Sequence, residues 1–254
     1  MIQKSIGVLG AGWLGTALAF YLQDKGHLVN VSVRTNEKKT QLENSGLQAY
    51  ALKITDDNVL GDLDFFNQTD VLIICLTPQS IAVFKNIAAQ IKQHNIREVI
   101  LCSSTGIYAD CSGMVNENST LNVQLPKVQL LKDIEAIFLQ LPQTQTTVLR
   151  LGGLIGPQRH PVTFMAKKDF ISEGNEPVNI VYQQTILQTV ECLLNHELPN
   201  TIFNLTEDDH RTKKDFYTEA AQKRNITLPE FQNSEHPKNR IVSSEKIKEY
   251  LEKR

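Results

Sequence analysis

Three glycines at a fixed spacing are the residues best suited to bind a charged ligand. Gly10, Gly12 and Gly15 stand between an apolar run of strand length, Ser5–Leu9, and a helical pattern over Thr16–Lys25. In this order the first glycine permits a tight turn, the second lets a pyrophosphate approach the backbone, and the third packs helix on strand. The first N–H groups of the helix then attract phosphate. The pattern predicts a dinucleotide site over Gly10–Gly15, with Trp13 and Leu14 among its binding residues.

The end of a second predicted strand, Leu28–Val33, indicates which dinucleotide is bound. NAD sites place an Asp or Glu about twenty residues after the glycines, where it binds the ribose 2′-hydroxyl. Arg34 stands at this point instead and is followed by Thr35. A guanidinium can bind a 2′-phosphate through two parallel hydrogen bonds, so NADP is favoured over NAD. A solvated surface that also includes Lys38 and Lys39 is the alternative.

Composition limits the class of protein. The chain has 254 residues, of which 41% are hydrophobic and 21% charged, and its net charge of −2 gives no electrostatic case for nucleic acid. The cysteines lack C-x-x-C pairs and histidine partners at metal spacing, so we expect no metal site and a reduced, cytoplasmic protein. An uncharged run near the start is diluted by glycine and polar residues, so no membrane span is expected.

Strand and helix patterns alternate through most of the chain. Further strands are predicted at 47–53, 70–76, 98–102, 147–151, 179–182 and 201–205, and further helices at 36–44, 80–94, 126–140, 184–194, 212–223 and 244–251. Residues 56–69 are expected to be irregular, and 109–125 and 152–161 to be loops. This alternation predicts an α/β Rossmann-type fold, a doubly wound parallel sheet with a small C-terminal cap. The predicted domains are 1–151, which binds the dinucleotide, and 152–254, the cap.

Ligands of such sheets lie at the carboxyl ends of the strands, and several polar or small residues follow predicted strands here. The further candidates for coenzyme binding are Leu76, Thr77, Pro78, Ser103, Gly152 and Leu154. Ser104 and Thr105 follow the fifth strand and could donate hydroxyls to a substrate oxygen. Hydroxyls that bind local backbone groups are the alternative at this turn.

Together these residues resemble the extended short-chain dehydrogenase/reductase superfamily, in its NAD(P)-dependent epimerase/dehydratase branch. Residues 103–108, SSTGIY, are similar to the family's S-S-x-x-V-Y-G segment, and 150–157, RLGGLIGP, to its R-x-x-x-x-Y-G-P turn. The glycine motif and the short length are closer to an atypical, nucleoside-diphosphate-sugar epimerase-like subgroup. The resemblance implies that Ser104 is catalytic, that a nucleotide-linked sugar is the substrate, and that helices 80–93 and 126–140 pair in a homodimer.

One departure from the family concerns proton transfer. The family's Y-x-x-x-K pair is missing, because alignment on Glu135 places Lys127 at the Tyr position and Leu131 at the Lys position. Tyr108 is the nearest phenol and is the second catalytic candidate. Two hypotheses therefore remain: an NADP-dependent oxidoreductase or epimerase, and a catalytically impaired NADP(H)-binding sensor or interaction module.

A rigid loop rich in glycine and proline carries the remaining candidates. Arg159 and His160 stand side by side in it and, with Thr105, are predicted to bind the substrate, the arginine through a phosphate and the histidine as an acid or base. A structural loop with a solvated Arg and His is the alternative.

Overall fold

The computed structural model describes residues 3–67 and 69–253, which contain a central sheet of eight strands. In chain order the strands are β1 (Ser5–Leu9), β2 (Leu28–Val33), β3 (Gln48–Ile54), β4 (Val59–Gly61), β5 (Val71–Ile74), β6 (Glu98–Ser104), β7 (Met114–Val115), β8 (Gln145–Leu151), β9 (Gly153–Ile155), β10 (Ile171–Ser172), β11 (Ile180–Tyr182), β12 (Thr201–Leu205), β13 (Phe231–Gln232) and β14 (Ile241–Val242).

The helices between them are α1 (Trp13–Asp24), α2 (Asn36–Glu43), α3 (Asp64–Asn67), α4 (Ile81–Gln93), α5 (Pro126–Leu139), α6 (Pro161–Met165), α7 (Gln183–Leu194), α8 (Lys213–Gln222) and α9 (Glu245–Glu252). A 3₁₀ helix over Thr105–Tyr108 follows β6. In the described part of the chain no helix is long and apolar enough to cross a membrane.

Strand β1 lies at the centre of the large sheet, whose order is β12-β8-β6-β5-β1-β2-β3-β4. It pairs in parallel with both β2 and β5. All four residues of β5 are buried, as expected for a strand covered on both sides. The strand order reverses direction between β1 and β5, so the segments that follow these two strands lead to opposite sides of the sheet and leave a crevice beyond the carboxyl ends. The predicted α/β fold is confirmed, with β4 as an antiparallel edge strand.

Helix α4 shows how the sequence pattern becomes packing. The Ser80 hydroxyl accepts a hydrogen bond from the backbone N–H of Val83 and caps the start of the helix, which is predicted at 80–94. Its apolar residues recur every three or four positions and enter the core, where Phe84 meets Phe138 of α5 edge-to-face with ring centroids 6.2 Å apart.

Two compact units divide the described residues. The first comprises the chain up to Ser103, Gln129–Leu149 and Leu187–Ile202. The second comprises Ser104–Val128, Arg150–Ile186 and the chain from Phe203 onward. Each has its own apolar core: the first around β5, α4 and α5, and the second around residues of β9, α6 and α8. The division at residue 151 stays a prediction.

Several element predictions are wrong in detail. Helix α1 begins at Trp13 instead of Thr16. Thr35, predicted to bind the coenzyme, caps α2 by accepting a hydrogen bond from the backbone N–H of Lys38. The predicted irregular stretch 56–69 contains β4 and α3, while Gln68 lies outside the described residues. The predicted loop 152–161 contains β9, which pairs in parallel with β11. Local glycine and proline content indicated loops there, whereas pairing with distant strands determines the structure.

Candidate functional site

The glycine loop, Gly10–Gly15, is held in place by one serine of the neighbouring strand. The Ser32 hydroxyl accepts a hydrogen bond of 2.9 Å from the N–H of Gly10, and its carbonyl accepts one of 2.9 Å from Ala11. Gly10 has a φ of +101°, which a side chain would strain. Sequence reasoning missed Ser32, although a polar residue in the apolar run LVNVSV was the available signal.

The other two glycines of the loop, Gly15 and Gly12, differ in the space available for a side chain. A Cβ on Gly15 would lie 2.1 Å from the carbonyl oxygen of Gly10, so this position needs glycine for helix-on-strand packing. A Cβ on Gly12 would have nothing within 4 Å. Gly12 gives α1 no side-chain cap, and the first turn of this helix contains no acidic residue. The helix N-terminus therefore fits an anionic group that approaches over Gly12.

A cleft of about 280 Å³ opens beside this loop. Its lining combines the glycine loop, the ends of β2 and β5, and the start of α2: Leu9, Gly10, Ala11, Gly12, Ser32, Val33, Arg34, Lys38, Leu52, Ile54, Cys75, Leu76, Thr77, Gln79 and Val83. The predicted coenzyme residues Gly10, Gly12, Arg34, Leu76 and Thr77 thus share one cleft. Lys38 and Gln79 complete it and were not among the predicted binding residues.

The other predicted coenzyme residues of the first unit lie outside this lining. Trp13 and Leu14 form the first turn of α1, where Leu14 is buried, and Thr35 caps α2. Pro78 is exposed directly after Thr77. The Ser103 hydroxyl donates a 2.6 Å hydrogen bond to the Glu135 carboxylate of α5, which is buried. Because the Ser103 hydroxyl donates its proton to Glu135, it cannot also donate to a coenzyme.

Arg34 is exposed at the edge of the cleft, and among residues 3–67 and 69–253 its guanidinium has no carboxylate within ion-pair distance. Lys39, in contrast, forms an ion pair with Asp62 at 2.7 Å, so its charge is already paired within the protein. The nearby Glu37 carboxylate accepts from its own backbone N–H and from Thr35, and these bonds lower its pKa. The N-terminus of α2 therefore holds this negative charge, and Arg34 remains available to a ligand.

Two cysteines lie side by side at the end of β5 and in β6. Their sulfurs, Sγ of Cys75 and Sγ of Cys102, are 3.7 Å apart. The hydrogen bond to Cys102, together with burial, raises the pKa of the Cys75 thiol well above its ordinary value. Cys75 is therefore held as a neutral thiol, which packs like a small apolar residue at the base of the cleft. Among the described residues no three His, Cys, Asp or Glu side chains group together as metal ligands.

The serine turn, Ser104–Tyr108, belongs to the second unit. The Ser104 Oγ accepts a 3.0 Å hydrogen bond from the N–H of Gly106, and this side chain is half-buried. The Thr105 hydroxyl is buried and donates to the carbonyl of Leu151 at 3.2 Å. Ser104 is therefore the residue of this pair whose hydroxyl proton is still available.

Tyr108 is fully buried and anchors the turn. Its hydroxyl donates to Oδ1 of Asn204 at 2.9 Å and accepts from the Arg150 guanidinium at 2.7 Å. Burial raises the pKa of the phenol, while Arg150 and Asn204 oppose the shift. These bonds give Tyr108 a structural place, so a catalytic role for it stays a prediction that the geometry does not favour.

The missing Tyr/Lys pair has a structural counterpart on α5. Leu131, at the lysine position, is buried in the core. Lys127, at the tyrosine position, is exposed and extends toward the serine turn. A Cβ on Gly106 would lie 3.2 Å from its Nζ and 3.1 Å from Oγ of Ser104. The position of Lys127 beside the turn could not be inferred from the sequence, where it marks only the missing tyrosine.

The remaining predicted residues lie around β9 and the start of α6. Gly152 is buried, where a Cβ would meet the carbonyl of Asn179 at 2.9 Å, and Leu154 is half-buried in β9. Arg159 is exposed in the following turn.

The side chain of His160 caps α6 by accepting from the N–H of Val162, and its ring stacks on Phe216 at 5.6 Å. Burial and the charge of Arg224 lower its pKa. The histidine thus serves the fold of this turn, and its predicted substrate contact is untested.

Comparison with known proteins places these features in a family. A family model for NAD(P)H-binding proteins matches residues 10–178. Protein YeeZ of Escherichia coli (strain K12) is 29% identical over 256 residues, spanning 96% of this chain and 93% of the relative. Among solved structures, a conserved protein of unknown function from Silicibacter pomeroyi has a TM-score of 0.79 and 21% identity, with 99% and 93% of the two chains covered. A UDP-glucuronic acid 4-epimerase from Bacillus cereus in complex with NAD has a TM-score of 0.77 and 17% identity, with 97% and 92% covered.

The fold and the glycine loop define a Rossmann-type dinucleotide-binding protein. The chain belongs to the NAD(P)H-binding family, and it has the fold of NAD(P)-dependent epimerases and dehydratases. The resemblance stated from the sequence is confirmed at this level, and the coenzyme class is a nicotinamide dinucleotide.

Proposed function

We propose that this protein binds NADP(H) and acts on a nucleotide-linked sugar or a related hydroxy or keto compound. The observation that carries the coenzyme preference is Arg34, an exposed guanidinium on the cleft with no carboxylate partner among the described residues. Lys38 lines the same end of the cleft. Two cations and no acidic residue among the lining residues suit a 2′-phosphate better than a 2′-hydroxyl.

Each part of the site has a distinct role in the proposed function. The glycine loop and the first turn of α1 bind the diphosphate, and Arg34 binds the 2′-phosphate. Ser104 donates its hydroxyl to the reacting oxygen of the substrate, while Arg159 binds its phosphate. A bound nicotinamide supplies or accepts a hydride at C4. The substrate class is supported by the fold shared with nucleotide-sugar enzymes such as the Bacillus cereus 4-epimerase.

Isothermal titration calorimetry with NADPH and NADH tests the coenzyme assignment. Arg34→Ala is expected to weaken NADPH binding about 30-fold, the effect of roughly 2 kcal/mol of charge-assisted hydrogen bonding, and to leave NADH within twofold. Lys85→Ala, an exposed cation on α4 outside the cleft lining, is the matched control. Equal binding of both coenzymes by the unmodified protein, or an unchanged NADPH affinity in Arg34→Ala, would contradict the proposal.

A second candidate function is a sensor or interaction module that binds NADP(H) without turnover. The burial of Leu131 and the internal hydrogen bonds of Tyr108 support it, because Leu131 stands at the family's lysine position and the Tyr108 hydroxyl is already bound within the protein. Incubation with NADPH and a panel of nucleotide sugars and ketones distinguishes the two. Turnover that Ser104→Ala abolishes supports the enzyme, and tight NADPH binding without turnover supports the sensor.

A further inference from the structure

The serine turn brings one hydroxyl and one ammonium to the same small space. Oγ of Ser104 and Nζ of Lys127 each approach within about 3 Å of the point where Gly106 lacks a Cβ, at 3.1 and 3.2 Å. A Cβ on residue 106 would require these two polar groups to shift by a few tenths of an ångström. Gly106 therefore leaves both groups in close contact with the space above its Cα.

Other titratable groups near this turn are already bound within the protein. The Tyr108 hydroxyl is fully buried between Arg150 and Asn204. The Glu135 carboxylate is 2% exposed and accepts from Ser103. Lys127, in contrast, is exposed, and over residues 3–67 and 69–253 its ammonium has neither an ion pair nor a hydrogen bond. Of Tyr108, Glu135 and Lys127, Lys127 is the residue whose protons are not donated to another described group.

We propose that Lys127 is the proton donor that acts beside Ser104 on a carbonyl oxygen of the substrate. This inference rests on the proposed function. Both groups donate hydrogen bonds to that oxygen, which polarises the carbonyl. A bound, reduced nicotinamide would supply a hydride to the carbonyl carbon, and the C–O π electrons would then take a proton from the Lys127 ammonium onto the oxygen. An alcohol forms, and the neutral amine of Lys127 is protonated again by water.

This assignment favours the reductive direction of the reaction near neutral pH. Lysine side chains ordinarily carry a proton at neutral pH, so they serve as acids there and are poor bases. A lysine beside Ser104 therefore suits reduction of a carbonyl, whereas removal of a proton from an alcohol requires a base. The substrate class is accordingly a keto compound, including a keto sugar linked to a nucleotide.

Steady-state kinetics with NADPH and the keto substrates of the panel give the first test. Lys127→Ala is expected to lower kcat about 100-fold with little change in KM, and ethylammonium added to the buffer is expected to restore part of the rate. Lys132→Ala, which removes another exposed lysine of α5, is the matched control. A kcat of Lys127→Ala within twofold of this control overturns the proposal.

A second measurement needs neither coenzyme nor substrate. Lysines of the full chain are dimethylated with ¹³C-formaldehyde, and the Lys127 methyl signal is assigned from its loss in Lys127→Arg. Ser104→Ala is expected to shift the Lys127 signal and leave that of Lys132 in place. An unmoved Lys127 signal contradicts the proximity of Lys127 to Ser104 and overturns the inference even where no panel compound is reduced. Absence of NADPH binding by the unmodified protein, measured by calorimetry, instead defeats the proposed function.

Discussion

The glycine loop and the serine turn each follow a strand of the parallel part of the sheet, yet they use their polar groups in opposite ways. The glycine loop is held from outside by Ser32, and the first turn of α1 lacks a side-chain cap. In the serine turn, the Thr105 hydroxyl donates a hydrogen bond to the Leu151 carbonyl. The Tyr108 hydroxyl is bound between Asn204 and Arg150. The glycine loop thus presents backbone N–H groups that a ligand can bind. The serine turn is fixed by internal hydrogen bonds and leaves only the Ser104 hydroxyl proton available within Ser104–Tyr108.

The comparison teaches that residue type alone does not identify the binding groups of a site. Both segments match motifs, but the conformation decides which hydrogen-bonding atoms are still available. In the glycine loop the absence of side chains exposes the donors. In the serine turn, Thr105 and Tyr108 form hydrogen bonds with groups outside the turn, and a lysine from α5 stands where the motif expected a tyrosine. Substitutions that separate folding from binding can break or sharpen this contrast.

The largest effect is expected at Gly15. Gly15→Ala places a Cβ 2.1 Å from the Gly10 carbonyl oxygen, so the backbone must move, and we expect a loss of about 3 kcal/mol in the free energy of unfolding. Gly12→Ala is its matched partner, because the Cβ there meets nothing within 4 Å. We expect it to lose no more than about 1 kcal/mol of stability, the usual effect of alanine at a helix N-cap.

Gly12→Ala is expected to affect NADPH binding more strongly than it affects stability. The added Cβ occupies the space through which a diphosphate would approach, so NADPH affinity should fall at least about tenfold, or roughly 1.4 kcal/mol. Urea denaturation and calorimetry on both variants measure the two effects. A Gly12→Ala protein that binds NADPH normally would refute the role assigned to this glycine.

Tyr108→Phe tests whether the serine turn is anchored or catalytic. It removes the hydroxyl that joins Arg150 to Asn204, and the loss of these buried hydrogen bonds should cost about 2 kcal/mol of stability. NADPH affinity should be unchanged. Tyr182→Phe, at an exposed tyrosine, is the control and should alter neither quantity. Unaltered stability with lost turnover would instead assign Tyr108 to catalysis.

A smaller effect is expected from His160. The folded protein lowers its pKa below the ordinary value of 6.5, through burial and Arg224, so the unfolded chain binds the proton first. Stability should therefore decrease as pH falls from about 6.5 toward the folded-state pKa. His160→Asn keeps a cap for α6 and should reduce this dependence. His236→Asn, at an exposed histidine, should leave it unchanged, and an equal slope in all three proteins would exclude the effect.

The smallest effect is expected for Lys39, whose ion pair with Asp62 is largely solvated. Lys39→Ala should change the free energy of unfolding by no more than about 0.5 kcal/mol. NADPH affinity should stay within twofold, in contrast to Arg34→Ala. A loss of NADPH binding similar to that of Arg34→Ala would show that the cationic site extends along α2.

The sequence predicted those features that depend on neighbouring residues. Strand β1, the glycine loop and Arg34 follow one another within a single strand–helix–strand segment, and their arrangement is the predicted one. The Ser80 cap of α4 is equally local. Such patterns are set by backbone preferences and by the period of the apolar residues.

The features that the sequence did not predict depend on contacts between distant segments. Tyr108 binds residues 42 and 96 positions away, which converts a candidate catalyst into a buried anchor. Lys127 reaches the serine turn because of how α5 packs, and β9 forms because β11 pairs with it. No local pattern encodes these pairings.

The binding of NADPH by the glycine loop and Arg34 is tested most directly by a crystal structure of the full chain grown with saturating NADPH. We expect the diphosphate to lie over Gly12 at the first turn of α1, and the 2′-phosphate to contact the Arg34 guanidinium. A cleft that stays empty under these conditions, or a coenzyme bound elsewhere on the chain, would contradict the account.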